Sequence, residues 1–138
     1  ASEILSLFSD TKTSGTDSIH SSDDVIEFAK NVGKVICITG KNDYIIHGQT
    51  LIKVMNGSDK LQQITGTGCA LGGLIAAYAA VDFSASNIAN AISFFGIASE
   101  IADRVPNKGI GTFGTAFLDA LSVLDQKVFE LKKNIVML

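Results

Sequence analysis

The segment that most constrains this chain is Ile64-Thr65-Gly66-Thr67-Gly68-Cys69-Ala70-Leu71-Gly72-Gly73, a glycine-broken turn that runs straight into a long apolar stretch. Glycines let successive backbone N–H groups converge, and a helix starting at that point adds partial positive charge. The pattern predicts an anion-binding turn built from Gly66, Thr67 and Gly68, at the head of a helix reaching to about Val81. Cys69 falls in that helix's first turn, where the same field favours thiolate. A bare Gly-x-Gly is equally compatible with a tight turn that only permits close packing, with Cys69 a small buried residue. The loop is neither a P-loop, since no Lys-Ser or Lys-Thr follows the glycines, nor a dinucleotide fingerprint of the Gly-x-Gly-x-x-Gly kind.

The rest of the chain alternates helical and strand patterns. Ile4, Leu5 and Phe8 share one face of a short helix over 2–8, and a Ser/Thr/Asp/Gly loop covers 9–20. Ser21 precedes Asp24 by three residues, an acidic variant of the capping box, and opens a helix over about 22–32 with Val25, Ile26, Phe28, Ala29 and Val32 as its stripe. Gly33 ends it, and Val35-Ile36-Cys37-Ile38 reads as a strand buried on both faces of a mainly parallel sheet. Tyr44 to His47 and Leu51 to Met55 flank Gly48-Gln49 as a hairpin, and Leu61 to Ile64 reads as a further short strand. Ser84 is the N-cap of a helix whose Ile88, Ala91, Ile92, Phe95, Ala98, Ile101 and Val105 keep helical spacing. Pro106, Asn107, Gly109 and Gly111 break the chain before a last amphipathic helix carrying Phe117, Leu118, Leu121, Leu124 and Val128. So few strands for so many apolar helix faces point to a further segment that covers them.

Composition narrows the function classes. In 138 residues, 46% are hydrophobic and 18% charged, which excludes a disordered chain and sets the expectation of one core. Net charge is −3, so a nucleic-acid binder relying on a basic surface is excluded. The apolar run from Ala70 to Val81 is shorter than the roughly 18 residues a membrane span requires, so no membrane partner is expected. Cys37 and Cys69 lie in unlike surroundings, one in a strand run and one in the glycine turn, which argues against a disulfide framework and for a reducing cytoplasm. Cys37 reads as packing, His20 and His47 as solvated or structural, and Asp23 and Asp24 as charges of a helix's first turn.

Four segments together carry a family resemblance: Ala1-Ser2-Glu3-Ile4, Ile36-Cys37-Ile38-Thr39-Gly40-Lys41-Asn42-Asp43-Tyr44, Gly66-Thr67-Gly68-Cys69-Ala70-Leu71 and Lys108-Gly109-Ile110-Gly111-Thr112-Phe113. In this order and spacing they resemble the hydroxyethylthiazole kinase family of the ribokinase-like superfamily. The resemblance implies an α/β, three-layer ribokinase-like fold in which residues 1–138 form the C-terminal part of a single kinase domain. It further implies phosphorylation, by ATP with Mg2+, of the primary hydroxyl of 4-methyl-5-(2-hydroxyethyl)thiazole in thiamine biosynthesis. Cys69 then stands where the superfamily commonly has a catalytic Asp, as proton acceptor or positioner of the hydroxyl. Gly66 matches a thiazole-contacting position and Thr39 an ATP-contacting one. Glu3 matches the glutamate of an Asn-x-x-Glu motif near magnesium and phosphate, whose Asn would precede Ala1. Ile110 replaces the proline of the family's Gly-Pro-Gly-Thr-Phe, a segment that otherwise reads as a loop capping the final helix. The resemblance also implies homotrimers, and an N-terminal portion without which this chain is inactive. A hydroxymethylpyrimidine-type kinase, a non-catalytic phosphate- or nucleotide-binding module and a redox protein using Cys69 are the alternatives, the last disfavoured because no Cys-x-x-Cys occurs.

Overall fold

A computed structural model describes residues 26, 29–106 and 109–138; the expected helix over 2–8, the loop over 9–20 and most of the helix over 22–32 lie outside the described residues. Four strands, β1 (Ile36–Ile38), β2 (Asp43–His47), β3 (Thr50–Val54) and β4 (Ile135–Met137), form a sheet in the order β1-β2-β3-β4. The helices are α1 (Thr67–Val81), α2 (Ala85–Arg104), α3 (Ile110–Val123) and α4 (Gln126–Lys132), with a 3-10 turn at Asp59–Gln63. The architecture is α/β, as expected.

The hairpin forms as its pattern predicts, with His47 opposite Thr50 and Gly48 at a φ of 56° in the turn. Three other expectations are corrected. Among the described residues the apolar run over 35–38 pairs antiparallel and not parallel: β1 lies beside β2, Ile36 opposite Ile46 and Ile38 opposite Tyr44, and its residues are half-buried. A parallel return needs a crossover of about a dozen residues or more, and the connection over 39–42 is far too short for one. Leu61 to Ile64 is mostly the 3-10 turn, opened by Ser58, whose hydroxyl accepts the Lys60 N–H. The final apolar stripe splits into α3 and α4 because the Asp125 carboxylate accepts the Val128 N–H at 2.8 Å and starts a new helix. Strand β4, too short to carry a periodic signal, completes the sheet with Ile52 opposite Met137.

Helix α2 is the centre of the core. Ile88, Ala89 and Ile92 pack with Ile45, Ile52 and Val54 of the sheet. Further along, Phe95, Ala98 and Ala102 pack with Phe113, Phe117 and Ala120 of α3, the Phe95 and Phe117 rings meeting edge to face at 4.9 Å.

One buried side chain ties these layers. Asn56, just past β3, donates from Nδ2 to Glu100 Oε1 at 3.0 Å and to the Lys132 carbonyl at 3.1 Å. Its Oδ1 accepts from Ser93 Oγ and from the Asn134 N–H, both at 2.7 Å. Every hydrogen-bonding position of the amide is filled, by α2, by the end of α4 and by the approach to β4. Gly96 makes this possible, since a Cβ there would lie 2.5 Å from the Asn56 carbonyl oxygen. Asn56→Ala is expected to cost about 3 kcal/mol, because it strands buried partners. Gly96→Ala is expected to be comparably damaging. Urea midpoints of the complete protein check both.

Candidate functional site

β1 and β3 both run antiparallel to β2, so they point the same way and their carboxyl ends share one end of the sheet. Thr39 leaves β1 at that end, and the connection from β3 to α1 leaves from the same end. Both connections therefore start at one end of the sheet.

The glycine turn is held from behind. Thr67 Oγ1 donates to the carbonyls of Leu61 and Ile64, at 3.0 and 3.1 Å, clamping the turn to the 3-10 segment. That segment is fixed in turn by Lys60, which meets Asp103 Oδ1 at 2.5 Å and lies 5.5 Å from the Phe113 ring centre. Lys60, ahead of the Ser58 hydroxyl, holds the Asp103 carboxyl below its usual range. Gly66 has a φ of 92°, a conformation that favours glycine, and no side chain caps the helix behind it. Helical bonding begins with the Ala70 N–H on the Gly66 carbonyl at 2.9 Å. The N–H groups of Thr67, Gly68 and Cys69 precede that bond and point out of the helix end, where partial positive charge concentrates. Cys69 is a free, exposed thiol in the same turn, and a Cβ on Gly68 would meet nothing within 4 Å. The turn over Gly66, Thr67 and Gly68, expected to hold an anion, thus precedes the open N–H groups of Thr67, Gly68 and Cys69, while the Thr67 hydroxyl serves the loop.

Gly109 to Phe113 plays a larger part than the expected loop that caps the final helix. Gly109 is an N-cap with no side-chain bond, and the Phe113 N–H reaches its carbonyl at 3.1 Å, so most of the segment is the first turn of α3. Phe113 is fully buried, and a Cβ on Gly114 would lie 3.4 Å from Ile64 Cδ1. The start of α3 is therefore packed beside the loop that opens α1. The two glycines before an apolar stripe were the available signal for a second open helix end.

In the β1–β2 turn Thr39 and Gly40 are exposed, and the Gly40 N–H donates to Asp43 Oδ1 at 2.9 Å. Burial pushes the Asp43 carboxyl up to about 6 even though the Gly40 bond favours its charge. Cys37, half-buried and packed against the core as expected, is pushed up to about 11 by burial and by the Asp43 charge. Glu3 and His20 lie outside the described residues, and His47 is exposed at the end of β2. Among the described residues no group of three or more His, Cys, Asp or Glu side chains could hold a metal, and no helix is long and apolar enough to cross a membrane.

The profile of the hydroxyethylthiazole kinase family matches residues 1–127. The chain belongs to that family. It is 37% identical over 145 residues to the hydroxyethylthiazole kinase of Arabidopsis thaliana, covering 99% of this chain and 52% of that protein. It is 41% identical over 133 residues to the one from Staphylococcus carnosus, covering 91% of this chain and 50% of the relative. The solved hydroxyethylthiazole kinase of Pyrococcus horikoshii OT3 superposes with a TM-score of 0.75 at 26% identity, over 84% of this chain and 47% of that one. The chain thus spans about half the length of these relatives.

Two predictions follow from the local geometry. Asp43 has a folded pKa above its ordinary 3.8, so between about pH 4 and 6 the folded state binds the proton more tightly and stability falls as pH rises. Asp43→Asn, which keeps an acceptor for Gly40 without the buried charge, is expected to raise stability at pH 7 and flatten the dependence between pH 4 and 6, read by urea melts across pH. Gly66→Ala is expected to cost about 1–2 kcal/mol through its positive φ, read by urea melts.

Proposed function

We propose that this chain carries the phosphoryl-transfer end of an enzyme that moves the γ-phosphoryl of ATP to the primary hydroxyl of 4-methyl-5-(2-hydroxyethyl)thiazole, a step of thiamine biosynthesis. The observation that carries the reading is the pairing of uncapped N–H groups at Thr67, Gly68 and Cys69 with an exposed Cys69 thiol in the same helical turn. In such a transfer the covalent demand on the protein is small and stabilisation of charge on the phosphoryl oxygens is large. The acceptor oxygen attacks the γ-phosphorus, the bond to the β,γ-bridging oxygen breaks, and ADP leaves. Backbone N–H groups at residues 67–69 receive the charge that gathers on the transferring group. Cys69 faces the acceptor hydroxyl, taking its proton or fixing its direction. Gly66 lets the thiazole approach the backbone, and Thr39 contacts ATP at the carboxyl end of β1.

Mg2+ enters this reading as the ion that accompanies ATP, neutralising its phosphates; the described residues offer it no cluster of their own, and Glu3 is the residue of this chain assigned near it. An N-terminal portion, as in the relatives of twice this length, would lie against the exposed small-residue face of α1 and beside β1. It would complete the thiazole pocket, in a homotrimer working in the cytoplasm. Val81, Leu118 and Val123, at 87%, 65% and 75% exposure, support such further cover.

The test is ATP-dependent phosphorylation of the thiazole alcohol by the complete protein. Cys69→Ala is expected to lower kcat by about 10² to 10⁴ with both KM values little changed, because the backbone donors survive, and Cys69→Asp is expected to retain activity. Near-normal turnover of Cys69→Ala, with chemistry rate-limiting, would remove Cys69 from the reaction.

A further inference from the structure

We propose that Asp43 is a positioning residue for the nucleotide, its carboxylate holding the Thr39-Gly40 turn, through the Gly40 N–H, in the conformation that receives ATP. The inference rests on the reading of Thr39 as the ATP contact and adds the residue that controls it.

The geometry singles out Asp43. The last paired residues of β1 and β2 are Ile38 and Tyr44, so beyond them the chain crosses from Thr39 to Asp43 outside the β1–β2 ladder. Asp43 itself is anchored on the other side, opposite Val54 of β3. A bond donated by the Gly40 N–H to its Oδ1, at 2.9 Å, therefore ties an exposed turn to the rigid centre of the sheet. Gly40 has no such support from packing, since a Cβ there would meet only the Asn42 carbonyl oxygen, at 3.6 Å. Thr39, next to it, is exposed at the sheet end from which the glycine turn also leaves. A few tenths of an ångström at Gly40 are a few tenths at Thr39.

The choice of an acid supports the same conclusion. Burial pushes this carboxyl up to about 6, so its charge is a cost to the fold at neutral pH, and an asparagine would accept the same N–H without it. What the carboxylate offers in exchange is a charge-assisted bond, shorter and stronger than an amide's, and hence a stiffer turn. Stability given up at a ligand-facing turn is the pattern expected of a site that must be preorganised.

The experiment measures KM for ATP, KM for the thiazole alcohol and kcat in the complete enzyme for wild type, Asp43→Ala, Asp43→Asn and Thr39→Val, with thermal melts to establish folding. Asp43→Ala is expected to raise the KM for ATP about tenfold, leaving the KM for the alcohol within about twofold and kcat little changed. Asp43→Asn is expected to rescue most of the loss, to about threefold above wild type, while gaining stability at pH 7. An ATP KM within about twofold of wild type in Asp43→Ala overturns the proposal, as does a parallel rise of both KM values or an asparagine variant as impaired as the alanine. Thr39→Val separates the two readings. If it raises the ATP KM while Asp43→Ala does not, the positioning role alone fails; if neither variant raises it, the assignment of Thr39 fails with it. If Asp43→Ala raises the ATP KM and Thr39→Val does not, the proposal that Asp43 acts through the Thr39 contact is overturned. Should Asp43→Ala not fold, Asp43→Asn decides: an ATP-specific rise supports the role, and an unchanged ATP KM overturns it.

Discussion

The amide of Asn56 is the constraint on which the arrangement of layers depends. It sits where β3 ends and must satisfy two donors and two acceptor positions away from water, and it does so with α2, the end of α4 and the residue leading into β4. A buried amide with one partner missing is expensive, so the four bonds form together or the layers do not close. Gly96 and Glu100 on α2 belong to the same arrangement, the first by leaving room and the second by also accepting the Gly57 N–H at 2.9 Å. α2 is thereby pinned across the sheet, and its other flank is free to organise α3.

From that pinning follows the position of the candidate site. Phe95, Phe113 and Phe117 fix α3 against α2, and the start of α3 then abuts Ile64. Lys60 and Ser58, both bonded to Asp103, hold the connection that leads into the glycine turn. The open N–H groups of α1 are thus carried by a loop that is braced on two sides. Rigid support of a backbone donor set is what phosphoryl transfer asks of a protein, because the gain comes from dipoles already aimed when charge develops. The Thr39 turn leaves from the end of β1 and is braced by the bond that the Gly40 N–H donates to Asp43.

α1 itself is only half accounted for by this chain. Leu71, Leu74 and Ile75 pack inward, while Gly68, Gly72, Gly73, Ala76 and Ala77 lie exposed on the opposite side. Glycine inside a helix costs about 1 kcal/mol relative to alanine, and at Gly68, Gly72 and Gly73 a Cβ would meet open space. Nothing among the described residues repays that cost, which fits a chain spanning about half the length of its relatives.

What the sequence by itself determined was local. The hairpin at Gly48-Gln49, the cap at Ser84 and the helix opening at the glycine turn each rest on chemistry within a few residues, and so does the place of Cys69 in a first turn. The four family segments added identity, because they specify spacing across the chain. What only the tertiary structure decided was pairing and partnership. The run over 35–38 is equally apolar for a parallel or an antiparallel neighbour, and the strand it meets chooses. Ile135 to Met137 became a strand because Asn134 is held by Asn56, and Gly109 to Gly111 became a helix start beside Ile64 because Phe113 is buried under α2. The bond from the Gly40 N–H to Asp43 was equally invisible beforehand, since an Asp after a turn has many possible donors. Periodicity reports which face of an element is apolar; only the packed chain reports what that face meets, because buried polar groups and cavities are settled between elements and not within them.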